Sequence, residues 1–99
     1  MELRFEWDER KNALNQKKHG VSFEEAAVVF RDPKRIEMFD IKHSIFEDRL
    51  VTVGFGAATL LLVIFTEQNG SIRIITARKA KKKNKEVYLN GYDKVYINR

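Results

Sequence analysis

Cysteine is absent from this chain of 99 residues, which excludes disulfide staples, thiolate metal sites and a cysteine nucleophile together. Only two histidines occur, His19 and His43, neither with a partner at metal-ligand spacing, so no resident metal is expected. Long apolar runs are missing too: Leu60 to Phe65 is too short to cross a bilayer. The stretch Met1-Glu2-Leu3-Arg4-Phe5-Glu6-Trp7 lacks the basic segment and apolar core of a secretory signal. There is no Gly-x-Ser-x-Gly elbow, and Ser22, Ser44 and Ser71 fall in capping or turn contexts, which argues against a serine hydrolase. Gly54-Phe55-Gly56-Ala57 sits between two strand-like runs without the rest of either nucleotide fingerprint and is read as structural. The expectation is a soluble, cytoplasmic protein with no cofactor and no membrane partner.

What is present is the composition of a folded domain, with 43% hydrophobic and 33% charged residues. Residues 1–99 make one domain, burying roughly two-thirds of the surface of the unfolded chain, enough for one core without a deep cleft between lobes. The formal charge of +5 is unevenly placed: residues 73–99 hold nine basic groups against two acidic, +7, and the first 72 hold ten against twelve, −2. Such asymmetry points to a polyanion or an acidic partner. Taken alone, the run Lys79 to Lys85 is equally the solvated face of a helix.

Local signals order the chain as α+β. Asp8 stands as the N-cap of a helix over about Glu9 to Lys18, stopped by Gly20. Its only apolar surface is Ala13, Leu14 and the stems of Lys17 or Lys18, so it should lie with most of its circumference wet, displaying Lys11, Asn15, Lys18 and His19. Ser22-Phe23-Glu24-Glu25 is a capping box, and Phe23, Ala26, Ala27 and Phe30 form the apolar stripe of a second helix that Asp32-Pro33 ends. Ile36 to Phe39 reads as a short strand. Arg49 to Phe55, Leu60 to Thr66 and Ile72 to Ala77 follow as β-branched and aromatic runs. The last two are joined by Gln68-Asn69-Gly70-Ser71, a hairpin signal because both central positions of such a turn take positive φ. The sum is a small antiparallel sheet of about four strands with two N-terminal helices and one basic C-terminal helix over Lys79 to Leu89. The tail from Tyr92 is an edge strand or an arm. Strict alternation from Ile72 puts Arg73 on one face of its strand and Arg78 on the other.

Metal-free cleavage of an RNA phosphodiester needs a base for the 2′-OH, an acid for the leaving 5′-oxygen and cations where charge builds on the phosphate. All three types occur here. His43-Ser44-Ile45-Phe46-Glu47-Asp48-Arg49 is the densest stretch, with an imidazole, a carboxylate four residues on and a guanidinium at the start of a strand. A polar loop before a strand has the same composition.

Phe5-Glu6-Trp7-Asp8-x-x-Lys11-x-x-x-Asn15-x-x-Lys18-His19-Gly20-Val21-Ser22-Phe23-Glu24-Glu25-Ala26 resembles the amino-terminal signature of the BrnT family, toxins of bacterial type II toxin-antitoxin pairs. The likeness continues through Phe30-x-Asp32-Pro33, His43-Ser44, Glu47-x-Arg49, Gly54, Thr66-Glu67 and Ile72-Arg73-Ile74-Ile75-x-Ala77-Arg78-x-Ala80, covering roughly residues 5 to 88. It implies a RelE-like fold with helices on one side of the sheet, and a ribonuclease that blocks translation. It also implies a BrnA-like ribbon-helix-helix antitoxin, a heterotetramer with it, and contact with operator DNA through it.

On the same footing the expected catalytic set is Glu47, His43, Arg49, Arg73 and Arg78, with Glu47 or His43 as base and Arg73 and Arg78 on the scissile phosphate. Bidentate arginine suits phosphate better than lysine does. Lys11, Lys18, His19, Lys79, Lys81, Lys82, Lys83 and Tyr88 are the expected RNA-binding residues. Two positions depart from the family pattern: Thr76 stands where Ser is usual, and Asn84 where a Glu precedes the tyrosine of the last helix. The alternative to the phosphate role is for Arg73 a surface position paired with Glu67 across the hairpin, and for His19 an imidazole set against the dipole and last carbonyls of its helix. The rival function is a non-catalytic binding module, either a co-repressor or a degenerate toxin.

Overall fold

In the computed structural model, which describes residues 3–40 and 48–91, five strands form one mixed sheet in the order β1-β5-β4-β3-β2. The strands are β1 (Arg4–Glu6), β2 (Ile36–Phe39), β3 (Leu50–Gly56), β4 (Thr59–Gln68) and β5 (Ser71–Lys79); the helices are α1 (Glu9–His19), α2 (Phe23–Val29) and α3 (Lys82–Asn90). Strands β2 to β5 form the antiparallel meander, and the β4–β5 turn carries Asn69 at φ 50° and Gly70 at φ 80°. The expected sheet of about four antiparallel strands is corrected by β1, which joins the far edge parallel to β5, Arg4 to Glu6 opposite Ser71 to Arg73. Three residues carry no readable period, and their parallel partner lies most of the chain away.

Strand β4 is apolar on both faces because both are covered. On one face α2 sets Phe23, Ala26, Val29 and Phe30 against Leu61, Val63, Phe65, Ile74 and Ala77. Phe30 meets Phe5 and Phe65 edge to face at 5.3 and 4.9 Å. The helix approaches β3 closely because Gly56 faces it: a Cβ there would stand 2.7 Å from the Glu25 carbonyl oxygen. On the other face α3 brings Val87 and Tyr88 onto Ile36, Val53 and Leu62. Helices therefore flank both sides, correcting the one-sided arrangement.

Helix α1 docks by hydrogen bonds. Ala13 and Leu14 are exposed, Leu14 at 64%, while Asn12 and Asn15 are the buried residues. Asn15, expected on display, donates from Nδ2 to the carbonyls of Val21 and Ala77 at 2.8 Å each, and its Oδ1 accepts from Ala77 N–H at 3.2 Å and Thr76 Oγ1 at 3.0 Å. Strand β1 covers β5 only as far as Arg73. Beyond it, the Asn15 amide takes the place of a neighbouring strand at Ala77. Asn12 accepts from Phe23 N–H at 2.8 Å and donates to Glu24 at 3.0 Å, tying α1 to the start of α2. Among the described residues no helix is long and apolar enough to cross a membrane.

Replacing Asn15 by Ala strands the buried polar groups of Ala77 and should lower unfolding free energy by about 2–3 kcal/mol. Leu14→Ala should stay within about 0.5 kcal/mol, both read from urea denaturation.

Candidate functional site

The pairing of β4 with β5 contains one irregularity. Phe65 stands opposite Ile74 but Ile64 stands opposite Thr76, so Ile75 is an extra residue. This bulge resets the alternation. Arg73 lies across from Thr66 and Arg78 across from Leu62, and Leu62, Ile64 and Thr66 share the α3 face of β4. Arg73 and Arg78 therefore share a face, where strict alternation separates them. Arg49 directly precedes β3, and its carbonyl accepts from Asp40 N–H at 2.8 Å, so the ladder runs on through it. Alternation places its side chain with Val51 and Val53 on that same face.

Each arginine is half-buried. Arg73 faces Glu6 of β1 at 4.0 Å, with both side chains more than two-fifths exposed, in place of the alternative pairing with Glu67. A contact that long and wet is a weak tie. Arg78 donates to the Lys79 carbonyl at 3.1 Å and reaches Asn84 Oδ1 at 3.5 Å. Five residues of strand separate the two arginines by about 15 Å, a spacing for phosphates about two nucleotides apart on one strand rather than a single clamp.

The remaining expected residues divide. Lys81, Lys82 and Lys83 are exposed around the N-terminus of α3, next in sequence to Arg78. Lys79 lies opposite Leu61 and so points to the other face of the sheet. Lys11 and Lys18 are exposed and His19 half-buried on α1, which docks through Asn15 at the margin of β5 beside Ala77. His43 and Glu47 lie outside the described residues; the connection that carries them leaves at Asp40 and returns at Asp48.

Tyr88, expected to contact RNA, is half-buried and engaged within the protein. Its ring meets Phe55 edge to face at 5.7 Å, and its hydroxyl donates to Asp32 Oδ2 at 2.6 Å. The same oxygen accepts from Phe55 N–H at 2.9 Å, and Oδ1 from Lys34 N–H at 2.8 Å. Burial works against the Asp32 carboxylate, but the bonds from Tyr88, Phe55 and Lys34 outweigh it and hold its pKa below the usual value. Burial first, and then the bond to Asp32, push the Tyr88 hydroxyl up from 10.0 to about 12. Asp32 gave no functional signal in the sequence because Asp-Pro reads as a helix stop.

A cleft of roughly 360 Å³ opens at the end of the sheet nearest Arg73, lined by Phe39, Asp48, Leu50, Thr66, Glu67 and Gln68. Its charged groups are carboxylates, which repel a phosphate. Among the described residues no three His, Cys, Asp or Glu side chains are grouped to hold a metal ion.

A family model described as the ribonuclease toxin, BrnT, of type II toxin-antitoxin systems matches residues 7–84. Comparison with curated proteins gives no match.

Tyr88→Phe should cost about 1.5–2 kcal/mol at pH 7, the worth of a hydrogen bond to a charged group. Because folding raises the Tyr88 pKa, its contribution is complete below pH 10 and is lost as pH rises towards 12. The stability gap between parent and Tyr88→Phe, measured by denaturant titration at stepped pH, should therefore close across that window.

Proposed function

The chain belongs to the BrnT family of ribonuclease toxins of type II toxin-antitoxin systems, and we propose that it cleaves RNA internally, without a metal, by attack of the 2′-OH on the adjacent phosphate. The observation that carries this reading is the common face of Arg49, Arg73 and Arg78 created by the bulge at Ile75. On that face the arginines neutralise separate phosphates of one strand, and Arg73 takes the one where charge builds. Glu47 or His43 serves as the base. Both belong to the connection that returns at Asp48, beside the end of the sheet where Arg73 stands. Lys81, Lys82 and Lys83 extend the track past Arg78 and steer the polyanion by long-range attraction.

The same cationic face suits a protein antitoxin, which the family implies. A BrnA-like ribbon-helix-helix protein, joined in a heterotetramer, would occlude the arginines with an acidic segment and carry the pair to operator DNA. RNA cleavage in the cytoplasm would then stop translation whenever the antitoxin is lost.

Purified protein should cleave RNA in the presence of EDTA. Arg73→Ala and Arg78→Ala should each slow cleavage, Arg73→Ala by about 100-fold or more. Glu47→Gln and His43→Ala identify the base by which of them flattens the pH–rate profile. Absence of cleavage in the parent on every RNA tried favours the non-catalytic binding module, and cleavage abolished by chelation overturns the metal-free mechanism.

A further inference from the structure

On the arginine face lies a polar group that the proposed cleavage leaves idle. Thr66 is only 2% exposed, and its Oγ1 is buried with no hydrogen-bond partner among the described residues. A buried hydroxyl left unpaired costs stability, so folding gains nothing from it that a methyl group would not supply. On β4 it stands directly opposite Arg73, and the Cβ atoms of such pairs lie about 5 Å apart, which sets the stem of that arginine beside the hydroxyl. On its other side Arg73 stands opposite Glu6 of β1. The strand order β1-β5-β4 thus places Arg73 between a carboxylate and a hydroxyl, and it is bonded to neither. Glu6 is 4.0 Å away, beyond hydrogen-bond reach, and both side chains keep more than two-fifths of their surface in water.

We propose that Arg73 has two stations, an outer one at Glu6 and an inner one where its guanidinium donates to Thr66 Oγ1, and that a bound phosphate moves it from the first to the second. Thr66 is then a positioning residue, acting on the reaction through Arg73. The inference rests on the ribonuclease reading for its substrate, but the movement itself is tested with phosphate alone. Charge decides which station is filled. Drawing a guanidinium out of water onto a neutral hydroxyl leaves a cation short of solvent with no counter-charge, so the empty protein keeps Arg73 outward, on a pair that is worth little. A phosphate over the face supplies the counter-charge, and leaving Glu6 then costs almost nothing. The guanidinium carries five N–H donors in a rigid fork, enough to hold two phosphate oxygens and reach Thr66 with another donor. Anchored in this way it is aimed by the sheet, and preorganised donors are what stabilise charge developing on a phosphate.

The test has two arms. In the first, inorganic phosphate is titrated into the antitoxin-free protein and the arginine Nε–H signals are followed by NMR, with those of Arg73 and Arg49 assigned by their loss in Arg73→Lys and Arg49→Lys. The Arg73 signal should shift and exchange more slowly with water as phosphate binds, in the parent and in Thr66→Ser but not in Thr66→Val. Glu6→Gln, which discharges the outer station, should tighten phosphate binding by about two- to threefold. In the second arm, RNA cleavage by Thr66→Val should show kcat lowered by about tenfold with KM within about twofold of the parent, and Thr66→Ser should restore most of the rate. Thr66→Val should nonetheless melt no lower than the parent, which a merely structural role would not allow. No response of Arg73 to phosphate in the parent, a response carried by Arg49 in its place, or a response in Thr66→Val equal to the parent's overturns the proposal. An Arg73 response that needs the Thr66 hydroxyl, in a protein that cuts no RNA, retains the two stations and removes the ribonuclease.

Discussion

The β4–β5 ladder, with its one extra residue opposite Ile64 and Phe65, governs where every other element stands. Strand β4 is apolar on both sides, so it must be central and covered twice, by α2 on one face and α3 on the other. Ile72 and Ile74 fill the α2 face before the bulge and Ala77 fills it after, a spacing of three that no regular strand allows. The same shift turns Arg78 to join Arg73 and presents the backbone of Ala77 to Asn15. One inserted residue thus links the core, the docking of α1 and the cationic face.

Much of this was legible in the residues. Ser22 with Glu25 gave the start of α2, Asn69-Gly70 gave the β4–β5 hairpin, and three β-branched runs gave β3 to β5, because each signal is local. Strand β1 was not, being three residues long and paired in parallel with a distant strand. The bulge left no mark either, since Ile74-Ile75-Thr76 reads as unbroken strand. Helix α1 misled for a different reason. Its apolar residues, Ala13 and Leu14, face water and its amides face the protein, so a reading that equates burial with hydrophobicity picks the wrong side. For the site, the arginines themselves were readable and their common face was not, and the bond from Tyr88 to Asp32, 56 residues away, left no local signal.

Charge placement shows a cost accepted locally. Lys81, Lys82 and Lys83 crowd the N-terminus of α3, where the helix dipole is already positive, and the first turn holds no acidic residue. Asn84 offsets this in part, its Oδ1 accepting from Lys81 N–H at 3.1 Å. A cationic cluster placed against the dipole is worse for folding than the reverse arrangement and better for meeting a polyanion. The −2 scaffold keeps its acids elsewhere: Asp8 caps α1, Glu25 completes the cap of α2, and Asp32 clasps Tyr88.

Asn15 and Asp32 share a geometric role. Each lies where a strand outruns its neighbour: β5 beyond the reach of β1, and β3 beyond the reach of β2. The Asn15 amide occupies both backbone groups of Ala77, and the Asp32 carboxylate takes the N–H of Phe55. Two stretches that would otherwise template a foreign strand are closed by side chains, at opposite margins of the sheet. Among the described residues the outer rims of β1 and β2, three and four residues long, are the strand edges left to accept β-augmentation. The sheet is thereby steered away from edge-to-edge association and towards partners that approach its faces.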